Sequence, residues 1–160
     1  MSGTHSARRV RGHVRAGAGG ATVPRARETF RFPVRVYYED TDAAGVVYYA
    51  NYLKYMERAR TEWLSALGFD LAAVEREHGV VFVVHRVEID FRAPAQLSDR
   101  LDVTLTLREL GRARIVADQA VMRGDKTLTD ARVTLACLTP AKWRPARIPA
   151  PVQERMEALL

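Results

Sequence analysis

Apolar and polar residues alternate along residues 30–37, Phe-Arg-Phe-Pro-Val-Arg-Val-Tyr, with the period of two that marks a strand. Pro33 stands near the start of that strand, where a missing N–H is tolerated. After the polar, acidic stretch Glu39–Gly45 the period changes. From about Ala50 to Leu67 the apolar residues Tyr52, Tyr55, Met56, Ala59, Trp63 and Leu67 follow one another at gaps of 3, 1, 3, 4 and 4, one stripe of a helix. Lys54, Glu57, Arg58, Thr61 and Glu62 lie off the stripe, and Gly68 stands where the helix should stop. A short helix over about 71–78 is predicted to close at Gly79. The period then returns to two. Val81, Val83, His85, Val87, Ile89 and Phe91 are predicted on the buried face of a strand over 80–92, with Arg86, Glu88, Asp90 and Arg92 on the other. Leu101, Val103, Leu105 and Leu107 repeat the pattern, Gly111 turns the chain into a strand over 112–122, and Gly124-Asp125 turns it into one over 127–138. Residues 151–160 suit a terminal helix.

One strand, a long helix and four further strands in a meander make an α+β fold. Strands joined by short turns are antiparallel, and the helix can bury its stripe only against one face of their sheet. The expected architecture is therefore an antiparallel sheet of about five strands wrapped around one long central helix. Strand edges and an outer sheet face are left over, which predicts a homo-oligomer, a dimer or a dimer of dimers (a homotetramer). Residues 30–160 form this domain, and residues 1–29, rich in Ala, Gly and Arg without apolar periodicity, read as a disordered basic N-terminal extension.

The chain has 160 residues, 48% hydrophobic and 28% charged, the composition of a soluble globular domain. No apolar run reaches the ~18 residues of a membrane span, and no apolar segment follows the basic N-terminus to make a secretory signal. A single cysteine, Cys137, rules out an intramolecular disulfide, and a cytoplasmic setting is expected. The net charge of +6 is local: residues 1–29 hold six arginines against Glu28, which leaves the domain near neutrality. The domain itself therefore carries no nucleic-acid footprint.

Several chemistries lack their motifs. There is no G-x-S-x-G elbow, no P-loop and no G-x-G-x-x-G, and His78 and His85 have no Cys partners at metal-ligand spacing, so no metal is expected. His85 reads as a hydrogen-bonded core histidine and Cys137 as a buried, inert thiol. The unusual segment is Arg35–Tyr52, RVYYEDTDAAGVVYYANY, where Glu39, Asp40 and Asp42 crowd the junction of strand and long helix. A helix start offers unpaired N–H groups that attract anions, and a carboxylate aimed there supplies a base or nucleophile, which together suit acyl transfer. The same residues also read as a solvated acidic turn with an aspartate capping the helix.

The frame Arg35-Val36, Thr41-Asp42, Gly45-Val46-Val47, Ala50-Asn51-Tyr52 and Tyr55-Met56-Glu57-Arg58-Ala59-Arg60-Thr61-Glu62, with Phe82-Val83-Val84, Phe91-Arg92-Ala93-Pro94-Ala95 and Pro140-Ala141-Lys142 downstream, resembles a known family. It looks like the 4-hydroxybenzoyl-CoA thioesterase family of hotdog-fold enzymes, and is most similar to the tol-pal system-associated (YbgC-like) acyl-CoA thioesterase branch. The likeness covers about residues 32–150. It implies hydrolysis of a short-chain or aromatic acyl-CoA to free acid and CoA, with Asp42 as nucleophile or general base and the helix-start N–H near Tyr49 polarising the carbonyl. It implies Tyr38, Gly45 and Val46 at the same site, and Arg112 and Arg114 on the CoA phosphates. Coenzyme A is then part of the substrate, no separate cofactor is needed, and an acyl carrier protein is a possible donor. One departure stands out: Tyr49 occupies a position where many members of the branch have histidine. A backbone N–H survives that change and an imidazole role does not. A hotdog dehydratase would need a histidine in the pocket, and none occurs in residues 35–52. A non-catalytic acyl-thioester or acyl-carrier-protein binding module of the same fold is the competing reading.

Overall fold

The stripe Tyr52, Tyr55, Met56, Ala59 and Trp63 is buried along one side of α1 (Ala50–Ala66) in a computed structural model that describes residues 25–160. Seventeen residues make a helix about 25 Å long, at 1.5 Å per residue. The helix is covered by one antiparallel sheet of β1 (Phe30–Arg35), β2 (Val81–Phe91), β3 (Arg100–Leu110), β4 (Arg114–Arg123), β5 (Lys126–Thr139) and a two-residue β6 (Arg144–Pro145). The strand order is β1-β3-β4-β5-β2, and β6 pairs with β5.

The sheet curls so that both halves of the helix are covered. The N-terminal half of α1 packs with Val34, Leu101, Val103, Val121, Leu128 and Val133. Trp63 and Leu64, in its C-terminal half, pack with Phe30, Leu105, Leu107, Ile115 and Cys137. Two short helices close that second cluster. In α2 (Leu71–His78) the Asp70 carboxylate caps the N-terminus by accepting the Ala73 N–H (2.8 Å), and Gly79, at φ +67°, ends the helix. In α3 (Ala150–Glu157) Val152 and Met156 are turned into the core. Burial pushes the Cys137 thiol up to about 11, as expected for an inert core cysteine.

The sheet departs from the expected pattern in three places. Only β3, β4 and β5 form a meander; β2 lies at the far edge, paired with β5 and not with β3. The eight residues Arg92–Asp99 are too many for a tight hairpin. They cross beside the start of α1 instead, held by the Val47 N–H on Ala95 O (2.9 Å) and the Ala95 N–H on Tyr52 Oη (2.9 Å). Second, β2 does not keep one face. Val84 pairs with Leu135 and Arg86 with Thr134, so His85 is an extra, bulged residue. Upstream of it Phe82 packs on the core, and downstream Val87 and Ile89 do, so the parity of the strand inverts at His85. His85 is exposed, not a core histidine. Third, β1 ends at Arg35 and not at residue 37, because the chain then turns through a single 3₁₀ turn, Tyr38–Asp40.

Residues 1–24, most of the proposed extension, lie outside the described residues. Near its end, the Arg27 N–H donates to Leu159 O (2.9 Å) and the Thr29 and Thr106 hydroxyls are 2.9 Å apart. Among the described residues no helix is long and apolar enough to cross a membrane.

The outer face of the sheet carries cross-strand ion pairs. Asp118 on β4 accepts from Arg108 Nε on β3 (2.7 Å) and Arg132 Nε on β5 (2.8 Å), which hold its carboxyl below the usual range. A carboxylate with a depressed folded-state pKa contributes stability above its unfolded pKa of about 3.9 and loses it as pH falls through the folded value. Asp118→Asn is therefore expected to lower stability by no more than about 1 kcal/mol at neutral pH, since the network is largely solvated. Urea unfolding at pH 7 and at pH 2–3 should show that difference shrinking towards zero in acid.

Candidate active site

The three acidic residues of the strand-to-helix junction have different surroundings. Glu39 is exposed. Asp40 is buried, and its Oδ2 accepts the Tyr37 N–H (2.8 Å), which closes the 3₁₀ turn. Its main-chain carbonyl accepts both Asn51 Nδ2 (2.9 Å) and the Tyr48 N–H (2.9 Å). Asp40 therefore clamps the turn to the first residues of α1. The buried Tyr55 hydroxyl has no hydrogen-bond partner among the described residues; burial first, and then the neighbouring Asp40 carboxylate, raise its pKa.

Asp42, two residues on, is exposed and opens a four-residue turn. Asp42 O accepts the Gly45 N–H (2.9 Å), and the Asp42 N–H donates to Val46 O (2.9 Å). Gly45 adopts φ +76°, a left-handed conformation that costs a residue with a Cβ about 1–2 kcal/mol. Val46 is half-buried and bridges to Gln96, as Thr41 bridges to Val47, so the turn is pinned on both flanks. The Asp42 carboxylate accepts the Ala44 N–H through Oδ1 (2.8 Å), and Oδ2 has no partner among the described residues. The aspartate caps its own turn; it does not cap the helix.

The helix starts without a side-chain cap. Tyr49 is its N-cap residue, already in helical conformation. The N–H groups of Asn51 and Tyr52 reach Tyr48 O (2.9 Å) and Tyr49 O (3.4 Å), which leaves those of Tyr49 and Ala50 without an acceptor among the described residues. Around this point stand exposed aromatic rings. Tyr49 meets Phe91 edge-on at 6.1 Å and lies 4.9 Å from Tyr48; Phe91 is 5.7 Å from Tyr52. Tyr49, Tyr52, Phe91, Val47, Ala93 and Pro94 line a shallow open groove. Tyr38 is 82% exposed, so it is not a packed strand-end residue.

The two arginines lie elsewhere. Arg114 pairs with Ala136 at the start of β4, while Met122, at the other end of β4, pairs through Asp102 with the end of β3 that adjoins β1 and the Asp42 turn. The eight residue steps from Arg114 to Met122 span roughly 27 Å of strand. One chain therefore does not bring Arg112 or Arg114 to Asp42. Arg114 is held by Glu109 (2.5 Å), whereas Arg112 lines a groove beside α3. Sequence reasoning missed the Asp40–Asn51 clamp, although both residues lie inside the segment it singled out. It also missed Phe91 as a groove wall: alternation put it on the buried face with Val87 and Ile89, but at the end of β2 its ring stands half-exposed against Tyr49.

Comparison with known proteins bears on this geometry. Residues 36–156 match the model of the thioesterase-like superfamily. The chain is 44% identical over 124 residues to an acyl-CoA thioesterase YbgC of Haemophilus influenzae, covering 78% of this chain and 91% of that protein. Among solved structures, a probable thioesterase from Bartonella henselae superposes with a TM-score of 0.72 at 35% identity, covering 76% of this chain and all of that one. A 1,4-dihydroxy-2-naphthoyl-CoA thioesterase from Synechocystis superposes with a TM-score of 0.74 at 30% identity, covering 81% of this chain and 96% of that one. With a curled antiparallel sheet around one long helix and likeness of this extent, the chain belongs to the thioesterase-like superfamily of hotdog-fold proteins, in its YbgC-like acyl-CoA thioesterase branch.

Proposed function

We propose that the chain hydrolyses the thioester of a short-chain or aromatic acyl-CoA, with Asp42 as the reacting carboxylate and the Tyr49 N–H as the donor to the carbonyl oxygen. The observation that carries this reading is the division of labour between two neighbouring aspartates. Asp40 is buried and holds the backbone of the junction, while Asp42 keeps an exposed carboxylate with a free oxygen on a turn tied to the helix start. As general base, Asp42 takes a proton from water, and the water oxygen adds to the carbonyl carbon. The oxyanion is met by the Tyr49 N–H, the C–S bond breaks, and the proton passes to the leaving thiolate. As nucleophile, Asp42 adds directly, expels the thiolate and forms a mixed anhydride that water then opens. Neither route needs an imidazole at position 49. Hydrolysis in ¹⁸O-water under single turnover separates the routes when water opens the anhydride at the aspartyl carbonyl: the label then enters Asp42, whereas the general-base route puts it in the product acid.

We also place the working site between two copies of the chain. Strand β2 is an 11-residue unpaired edge without proline, and Val84 and Phe91 on it are exposed. Antiparallel pairing of β2 with its copy sets Phe91 of one chain opposite Val81 of the other. That arrangement carries the Arg112 end of one subunit to the Asp42 end of its neighbour. A dimer of dimers would extend the assembly without changing this seam. The acyl donor is CoA or an acyl carrier protein, and the protein works in the cytoplasm.

Asp42→Asn keeps the shape of the side chain and removes its charge. At least ~10²-fold loss of turnover is expected, as for removal of a direct catalytic group. Equal turnover in both proteins would end the assignment of Asp42, and tight acyl-thioester binding without turnover in the wild type would favour the binding module instead. The dimer has its own test. At low substrate concentration, Asp42→Asn and Arg112→Ala homodimers should each be poor, and a refolded equimolar mixture should recover about a quarter of wild-type activity, from the one intact composite site of each heterodimer. No recovery, or a monomer by light scattering, sinks the two-copy site.

A further inference from the structure

One row of charge on the outer face of the sheet alternates in sign across four strands. Arg108 of β3 and Arg132 of β5 both donate to Asp118 of β4 (2.7 and 2.8 Å), and Arg132 stands opposite Glu88 of β2 in the β2–β5 ladder. Plus, minus, plus and minus thus follow one another from β3 to β2. The row stops on an acid at the open edge of the sheet. Among the described residues Glu88 accepts one hydrogen bond, from Arg86 Nη2 two residues away on the same strand (2.8 Å), and both side chains remain more than half exposed.

The two edges of the sheet differ. β1 is six residues long and carries Pro33, which has no N–H to offer a further strand, whereas β2 presents 11 residues without proline. Charges on an edge strand repel a second sheet when like meets like. β2 carries one charge of each sign two residues apart, so an antiparallel copy brings Glu88 of each chain next to Arg86 of the other. With Phe91 opposite Val81, the two-fold axis passes through the middle of the strand, at Arg86. Glu88 then lies on the diagonal from Arg86 of the partner subunit, about 7–8 Å away at the backbone and within reach of long side chains. The two Arg86 side chains meet at the axis, and the flanking Glu88 carboxylates offset their repulsion. A slip of one residue would turn the charges of one strand to the opposite face.

We infer that Arg86 and Glu88 make β2 select a second copy of this chain, Glu88 of each subunit pairing with Arg86 of the partner subunit, a partner choice that rests on the two-copy site proposed above. The alternating row then runs unbroken from one sheet into the other. Exposed ion pairs contribute little when isolated. Charges gathered around one axis, each backed by the next member of a row, act chiefly by rejecting a wrong neighbour, because an edge that sets acid on acid or base on base is penalised. A strand edge of uniform charge, or an apolar one, is therefore a poorer partner for β2 than its own copy.

Charge-reversed full-length chains, paired and counted by native mass spectrometry, test this. Arg86→Glu leaves only carboxylates at the axis and Glu88→Arg only guanidiniums, so each variant alone should dimerise about ten- to a hundred-fold more weakly than wild type at low salt. Mixed in equal amounts, the two variants restore opposite charges across the seam. Heterodimers should then outnumber homodimers about tenfold, where chance pairing gives equal numbers. The preference should fade at high salt. Arg31→Glu mixed with Asp102→Arg makes the same changes in net charge at a pair beside the β1 edge (4.0 Å), and should pair at random. Random pairing of the β2 variants, or an equal preference in the control, overturns the ion cluster. Should either reversal fail to fold, Arg86→Gln and Glu88→Gln take its place, each expected to weaken the dimer about three- to tenfold at low salt and not at high salt. An unchanged dissociation constant in both overturns the cluster equally. A wild type that stays monomeric fails the two-copy site and the cluster with it; a wild-type dimer indifferent to these charges fails the cluster alone.

Discussion

One long helix must bury a stripe of large side chains, and nearly everything else follows from that requirement. Tyr55, Met56 and Ala59 have no exposure at all, and the curl of the sheet is what removes them from water. Because helix and strands are of similar length, the helix begins at one end of the sheet and finishes at the other. The unpaired N–H groups of its first turn therefore come to lie beside the loop that leaves β1 and the loop that leaves β2. A buried polar stitch fixes how the helix is seated. Gln119 of β4 accepts Arg60 Nη1 (2.9 Å) and donates to Met56 O (3.0 Å), and burial lowers the pKa of that guanidinium. Helix and sheet are thus coupled by directional contacts as well as by apolar packing.

On this scaffold the junction solves a local problem: reversing the chain tightly while keeping one acid free. Asp40 replaces the missing strand and helix partners of Tyr37, Tyr48 and Asn51, so the reversal needs no further capping residue. Asp42 then starts a second reversal that Gly45 permits through its left-handed conformation. A side-chain acceptor in the first place closes the reversal, whereas in the second the turn uses only one of the two carboxylate oxygens. That contrast gives the exposed carboxylate its chemical interest.

The same architecture separates functions along the sheet. Carboxylate, aromatic groove and free helix N–H groups gather at one end, and Arg112 and Arg147, which have no ion pair among the described residues, lie at the other. A single chain therefore holds these two sets of groups at opposite ends of its sheet. The bulge at His85 contributes to this, because it reverses which side chains of the edge strand face the helix before the strand reaches Phe91.

The sequence alone determined the elements and the class of fold, because periods of two and of 3.6 are local consequences of backbone geometry. Residues 50–67 and 71–78 read correctly for that reason, as did the turn at Gly124. The Asp42 segment was legible as chemistry because three acids before an amphipathic helix are unusual, and its resemblance to a thioesterase signature named the family. Tertiary structure alone decided four matters. The edge position of β2 depends on where residues 92–99 cross, which periodicity does not encode. The bulge at His85 arises from the register against β5, a partner some fifty residues away in sequence. Which of Asp40 and Asp42 is buried, and that Arg147 rather than Arg114 shares a groove with Arg112, are set by the packing of distant segments; charge and spacing in the sequence are blind to that.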